Sequence, residues 1–481
     1  MSFLDELQKG TNKTRTENGA VTNKSTLNAN LDFFSLAAAM RGNVAGAVKL
    51  FEKAYHTDPQ IAIRTLFYLR DVRGGQGERD IFRAGFNKLI DLNEEHAMKV
   101  ARHIAEYGRW DDVVELLSTK LGSLAVDMIR EQFAKDSQDM NDGNSISLMA
   151  KWLPSGNASS KTRREQAKLL AKELKLVSNS GNLTPYRKDV SRLRKYIKLL
   201  EQQMSAKQWS EIDYSKLPSQ AHRKHTKAFK RNDEARYTEF LGKVEKGEAK
   251  LNAGTLYTYE IFDAVKEGNL QAANAMWKSL PDFTNGNDAL VVADVSASMQ
   301  GRPMSVSVSL ALYYAEHNKG TFHNKFMTFS AQPQLVDVVG TTLVQKLHMI
   351  ENAHWDMNTD LEAVFATLLN AAVASGAKGD DMPKVIYIIS DMEFDRCVVV
   401  DESVFNRAKN AFTVNGMTLP HVVFWNVDAR NEQAPATKFD NNVTLISGLS
   451  QSTFQYVVGG KNPEELMLEV VNSERYAPIT I

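Results

Sequence analysis

Asp294, Ser296 and Ser298 stand at alternate positions of Asp294-Val295-Ser296-Ala297-Ser298, directly after the apolar run Ala289-Leu290-Val291-Val292-Ala293. One carboxylate and two hydroxyls at this spacing put three hard oxygens on one side of a short loop. Mg2+, or another divalent cation, takes few protein oxygens of this kind and keeps several waters. The run before them has the composition of a strand buried on both faces, and ligands of open α/β sheets bind outside the carboxyl ends of strands. Plainer roles also suit these residues. Asp294 can cap the helix expected from about Pro303, and Ser296 and Ser298 are ordinary turn residues.

A second apolar strand, Lys384-Val385-Ile386-Tyr387-Ile388-Ile389-Ser390, ends at Asp391, and Asn358-Thr359-Asp360 precedes a helix-like stretch from Leu361 to Ala374. The pattern D-x-S-x-S resembles the first part of the metal-ion-dependent adhesion site of von Willebrand factor A domains. Those domains complete the site with one Thr and one Asp from later loops, and Thr359 and Asp391 match that pattern. The match departs at Met357, where many members carry Gly two residues before the Thr. The resemblance implies a structural or regulatory Mg2+ site of Asp294, Ser296, Ser298, Thr359 and Asp391. A partner protein's carboxylate could fill its open position.

Catalytic alternatives are weaker. Asp391, Glu393 and Asp395 suggest a two-metal nuclease, but on a strand-to-loop exit they would not all converge, and no Lys or His is placed as a base. Ser296 and Ser298 have no recognisable His partner or nucleophile elbow. The chain is therefore read as not an enzyme.

Other candidate residues are basic. Arg70-Asp71-Val72-Arg73-Gly74-Gly75-Gln76-Gly77-Glu78-Arg79 combines glycines, which let backbone amides face an anion, with Arg70, Arg73 and Arg79. Arg recognises phosphate bidentately, though a tight helix–helix turn with Asp71 and Glu78 pairing the arginines fits equally. No Gly-Lys-Ser/Thr follows, so this is not a Walker A loop. Further on, Arg187, Lys188, Arg194 and Lys198 accompany Tyr186 and Tyr196, and His222, Arg223, Lys224 and Lys227 lie in one basic run. Arg187, Arg194 and Lys198 recur at helical spacing, as a face toward a phosphate backbone would. Positive charge gives salt-sensitive affinity, and Tyr or His can stack on unpaired bases. His222 and His225 also read as plain exposed polar residues, and no further ligands complete a zinc site.

The elements that must position these residues fall into two halves. The chain has 481 residues, 43% hydrophobic and 24% charged, too many for one core. Its net charge of zero conceals an asymmetry: residues 161–250 carry 23 Lys+Arg against 11 Asp+Glu, and residues 282–481 carry 13 against 23. A basic block beside an acidic domain suggests a polyanionic partner. The single cysteine, Cys397, excludes an internal disulfide and fits a reducing cytoplasm, that of a bacterial host if the chain is phage-encoded. No apolar run is long enough to span a membrane, so no membrane partner is expected. The polar residues 1–28 read as a flexible arm. Apolar residues at helical spacing, such as Ala47, Leu50, Phe51 and Tyr55, predict helices throughout 29–280. Short connections and no clean repeat favour an irregular HEAT-like α-solenoid. From 282 to 481 strands near 289–294, 325–330, 335–339, 384–390, 420–427 and 442–446 alternate with helices near 303–318, 341–351, 360–375, 402–412, 449–458 and 463–472. This predicts a parallel, Rossmann-like sheet with one antiparallel edge, and so an α + α/β chain.

A helical-repeat half followed by a von Willebrand A-like half resembles the TROVE-module family of Ro ribonucleoproteins. Leu69 to Arg79, Gly108-Arg109-Trp110-Asp111-Asp112, Lys151-Trp152-Leu153-Pro154-Ser155, and the stretch from Tyr186-Arg187-Lys188 through Trp209 resemble more specifically a Ro-like branch of phages, bacteria and plants. The resemblance implies helices closed into a ring with a positively charged hole. It also implies small structured RNA on an outer basic surface, single-stranded RNA ends in the hole, and a scaffold that turns over no substrate. The rival reading is a metal-dependent protein-interaction module, serving a phage particle or a chaperone ATPase.

Overall fold

The computed structural model describes residues 3–351, 359–377, 381–396, 402–457 and 459–481. Met357, Asn358 and Cys397 lie outside the described residues. The fold is α + α/β: helices from Ala29 to Lys278 precede a six-stranded mixed sheet with helices on both faces. No described helix is long and apolar enough to cross a membrane.

Residues 1–28 were expected to be a flexible arm, and the structure corrects this. Phe3–Thr11 is a helix, and β1 (Lys13–Arg15) and β2 (Val21–Asn23) form an antiparallel hairpin. Its polar side chains are used in long-range bonds: Thr16 Oγ1 donates to the Phe394 carbonyl (2.7 Å), and Asn23 and Ala434 exchange backbone bonds (3.1 and 2.9 Å). Composition alone cannot show a docking site four hundred residues away.

The main sheet contains β3 (Ala289–Asp294), β4 (Lys325–Phe329), β5 (Leu335–Asp337), β6 (Val385–Ser390), β7 (His421–Asn426) and β8 (Val443–Ser447). Their order is β5-β4-β3-β6-β7-β8, and all neighbours are parallel except β4 and β5. Chain order runs outward one way from β3 and the other way from β6. The loops leaving these two strands therefore diverge and open a crevice between them.

Period-two alternation assigns the strand residues to two cores. Leu290, Val292, Ile386, Ile388, Val422 and Phe424 pack with Val364, Phe365, Phe405 and Phe412, which come from the helices Leu361–Ser375 and Val404–Val414. Ala289, Val291, Tyr387, Ile389, Val423 and Trp425 face the helix Arg302–His317, in a core continuous with the helical half. The two halves thus share one hydrophobic interior. The C-terminal segment adds to it, since Tyr476 is fully buried and stacks on Tyr107 at 5.7 Å.

The helices start where side chains can satisfy their free amides. Asp58 accepts from Ile61 N (3.0 Å), with Pro59 at the first helical position, and Asn93 accepts from His96 N (3.1 Å). Gly122–Asn141 is one of the long helices of the first half, and the helix expected at 449–458 is a 3-10 helix, Gln451–Tyr456. Ser219–Glu245 is broken by non-helical backbone at Asp233.

Candidate functional site

The crevice between β3 and β6 receives both expected carboxylates. Asp294 is the last residue of β3, and Asp391 follows the last residue of β6. Both are buried, as are Ser296 and Thr359. Asp294 Oδ1 accepts from Ser296 N (2.9 Å), and Oδ2 accepts from Ser390 Oγ (2.6 Å). Ser296 and Ser298 share a hydrogen bond between hydroxyls at 2.9 Å. Thr359 Oγ1 donates to the Glu393 carbonyl (3.1 Å).

Asp294 carries the electrostatic strain of the site. Burial pushes its pKa up to about 6, and the nearby Asp391 charge adds to the rise. It is in no ion pair among the described residues. A buried carboxylate without a counter-charge is costly, and a divalent cation between Asp294 and Asp391 would offset that cost. The donor set suits Mg2+ in its chemistry: two carboxylates and three hydroxyls, all oxygen. Met392, next to Asp391, has φ 67°, a left-handed conformation that non-glycine residues adopt at a cost of about 1–3 kcal/mol. No three His, Cys, Asp or Glu side chains cluster as a metal site among the described residues, so the hydroxyls are essential to this fit.

Sequence reasoning missed two participants, Arg430 and Asn18, and met a third, Glu393, only as part of a nuclease cluster. Arg430, in the loop after β7, pairs through Nη2 with Asp391 Oδ2 and through Nη1 with Glu17 Oε2 (3.3 Å). Glu393 is buried, and its two oxygens accept from Glu17 N (2.7 Å) and Asn431 Nδ2 (2.9 Å). Asn18 Nδ2 donates to the Glu393 carbonyl (2.7 Å) and approaches Thr359 Oγ1 (3.5 Å). The turn of the N-terminal hairpin therefore sits at the mouth of the crevice. None of these residues belongs to the D-x-S-x-S pattern. Only the sign of Arg430 among acidic neighbours could have pointed to it.

The expected phosphate-facing residues separate into two groups. Four lie inside the fold, a correction to the expected RNA surface. Arg70 is buried, with Nε on Asp112 Oδ2 (2.9 Å). Arg194 is turned inward, donating to the carbonyls of Ala150 and Leu153 (both 2.8 Å). His222 is fully buried, not an exposed polar residue as read above. It donates through Nε2 to the Tyr214 carbonyl (3.0 Å) and lies parallel to Tyr237 and Phe240. Arg223 binds the Glu260 carbonyl (3.2 Å) beside the carboxylates of Glu260 and Asp263.

Of the two readings of the glycine-rich segment, the tight turn is favoured by three of its amides, which bond within the turn. The amides of Gln76, Gly77 and Glu78 donate to the carbonyls of Tyr68, Asp71 and Leu69. Gly75 is needed for close packing, because a Cβ there would lie 2.0 Å from the Tyr68 carbonyl oxygen. Arg475 and Tyr476 both bind Asp71, so the segment joins the C-terminus to the helical half. Arg73 and Arg79 stay exposed but pair with Glu106 (3.5 Å) and Asp80 (2.9 Å).

Arg187, Lys188, Lys198, Lys224 and Lys227 remain exposed, with no ion pair among the described residues. On the helix Thr184–Tyr196, Lys188 is joined by exposed Arg192 and Lys195 at positions i+4 and i+7. On Ser219–Glu245, exposed Arg231 follows Lys224 and Lys227 at i+7 and i+4. Each set makes a stripe on one helix face.

The carboxyl half matches the domain of unknown function DUF7788 over residues 288–476. A relative described as uncharacterized protein L728, of Acanthamoeba polyphaga mimivirus, is 29% identical over 515 residues, covering 97% of this chain and 88% of that one. The crystal structure of the RO (RSR) protein of Deinococcus radiodurans is similar at a TM-score of 0.34 and 11% identity, over 91% of this chain and 93% of that one. The domain of unknown function DUF2828 matches residues 16–121 and 91–295, more than half of the chain, which therefore belongs to the DUF2828 family.

Proposed function

We propose that this chain is a non-catalytic RNA-binding scaffold of Ro type, which binds small structured or single-stranded RNA on its helical half. In this reading the helical half is an irregular HEAT-like array. The sheet half is a von Willebrand A-like domain whose crevice holds Mg2+ through Asp294, Ser296, Ser298, Thr359 and Asp391. The observation that carries the RNA reading is the pair of exposed cationic stripes, Lys188, Arg192, Lys195 and Lys224, Lys227, Arg231, left without carboxylate partners. Unpaired surface cations are available to phosphates at no cost of breaking an ion pair. When bound, Mg2+ would supply the counter-charge that Asp294 lacks and tie together the loops after β3 and β6.

The test is fluorescence anisotropy with a labelled twenty-nucleotide single-stranded RNA across a salt series. The triple variant Lys188→Glu, Arg192→Glu, Lys195→Glu should bind more weakly. Its log–log salt slope should be shallower by about 2, since each contact to a single strand contributes about 0.7. An unchanged slope places RNA binding, if there is any, away from this stripe and overturns the reading.

One observation favours a metal-dependent protein-interaction module as a second reading. Glu17 brings a carboxylate to the mouth of the crevice on the turn of the N-terminal hairpin, through Arg430. A partner's acidic segment would take that position and bind the metal directly. Such a partner would be captured with Mg2+ and lost with chelator or in Asp294→Ala, while the triple variant would still hold it.

A further inference from the structure

Three of the segments distinguished in the sequence meet in space. Arg73 from the glycine-rich segment, Arg109 and Trp110 from Gly108–Asp112, and Trp152 from Lys151–Ser155 line one cavity of about 630 Å³. The volume is in the range of small-molecule sites, roughly 300–1,000 Å³. Both indoles are partly exposed where they line it. Arg102 and Lys135 also line the wall; Arg102 pairs with Glu131 (2.8 Å) and Arg73 with Glu106 (3.5 Å), which leaves Arg109 and Lys135 as the lining cations outside any ion pair among the described residues.

Arg109 is the centre of the site. Its guanidinium lies 5.1 Å from the Trp152 ring centroid, and it is in no ion pair among the described residues. Burial and the neighbouring Arg70 lower its pKa below the usual arginine range. It also borders a second cavity, which Arg41, Arg79 and Arg302 line together with Glu78, Asp80 and Glu260. Lys135 likewise has no partner among the described residues. A planar π-surface with a cation stacked on it, beside unneutralised cations, suits a ligand that is itself planar at one end and anionic at the other.

We propose that this cavity binds a nucleoside phosphate, with the base against Trp110 and Trp152 and the phosphate held by Arg109 and Lys135. The ligand is either a free nucleotide or one nucleotide unit of a single-stranded RNA. The inference rests on the RNA reading for its setting, and it uses none of the residues of the two cationic stripes.

The experiment is calorimetric titration of the full chain with adenosine monophosphate, with a ten-nucleotide oligoadenylate, and with inorganic phosphate. Saturable binding of either nucleotide ligand is expected, with phosphate binding at least tenfold more weakly. Trp152→Ala should weaken it roughly tenfold or more, Trp152→Phe should restore most of the affinity, and Arg109→Gln should weaken it in a folded protein. Binding of the monophosphate identifies a free-nucleotide site, and binding of the oligonucleotide alone identifies a chain-borne one. The proposal is overturned if neither ligand binds at millimolar concentration, if Trp152→Ala and Arg109→Gln bind as the parent does, or if phosphate binds as tightly as the monophosphate. Monophosphate binding that survives in the Lys188, Arg192, Lys195 variant would hold even if the stripe proved irrelevant to RNA.

Discussion

Between Arg70 and Arg83 every arginine meets a carboxylate, whereas along Thr184–Tyr196 none of the four exposed cations does. Arg70 and Arg83 converge on Asp112, and Arg83 also reaches Asp111 (2.9 Å). On the later helix Arg187, Lys188, Arg192 and Lys195 point into solvent. The two regions carry similar densities of positive charge and use it for opposite ends. In the first, charge is a structural material, and its removal leaves a partner stranded. In the second, charge is held in reserve for something outside the chain. The difference lies in the nearby carboxylates of Gly108–Asp112, which fold onto the first region and not the second.

The strongest way to break this comparison is to remove the carboxylate that the first region shares. Asp112→Ala strands the guanidinium of Arg70, which is 1% exposed. Loss of one partner of a buried pair costs about 3–5 kcal/mol. Denaturant unfolding should show that loss. A change under 1 kcal/mol would mean that the pair is not the structural element described here.

How much of this was legible in the sequence follows from what each feature depends on. The strands β3, β6 and β7 were legible because burial on both faces needs a continuous apolar run, which is a local property. Asp294 and Asp391 were legible for the same reason, as the first acidic residues at the carboxyl ends of such runs. The inward turn of Arg194 was not. It depends on the free carbonyls of Ala150 and Leu153, which end a short helix more than forty residues earlier. Nor was His222, because a His in a run of Lys and Arg looks exposed until Tyr214, Tyr237 and Phe240 are seen to enclose it.

His222 gives the second test, a pH dependence. Burial lowers its pKa to about 4, against an ordinary value near 6.5. Between these values the unfolded chain binds the extra proton and the folded chain does not. Stability is therefore lost as pH falls from 6.5 toward 4, by about 3 kcal/mol for this residue. Asp32, whose pKa burial raises to about 6, acts in the opposite sense: its contribution falls as pH rises from 3.8 to 6. The difference between the parent and His222→Gln isolates the histidine. The stability of the parent relative to the variant should rise by about 3 kcal/mol from pH 4 to 6.5, and parallel pH profiles would refute a buried neutral imidazole.

The crevice occupies a middle position, since its acidic charge is both structural and available. Arg430 already neutralises Asp391 in part, so Mg2+ must compete with it. Mg2+ should raise the unfolding free energy by up to about 2.7 kcal/mol at a hundred times its dissociation constant. Arg430→Gln should strengthen Mg2+ binding several-fold, and Asp294→Asn should abolish the Mg2+-induced shift. Equal shifts in all three proteins would place the ion elsewhere.

The smallest expected effect on stability is also the one that sharpens the comparison most. Replacing Lys188, Arg192 and Lys195 by Glu breaks no ion pair among the described residues, so the change in unfolding free energy should stay within about 0.5 kcal/mol per site. Removal of repulsion between the three cations partly offsets the new repulsion between the three carboxylates. Charge reversal at a helix C-terminus is mildly unfavourable, and Lys195 lies in the last turn. A loss of several kcal/mol would show that the stripe is packed against something in the native chain. It would then be structural, like the first region. Near-constant stability with a shallower salt slope for RNA would show that the same residue types serve the fold in one helix and a partner in another.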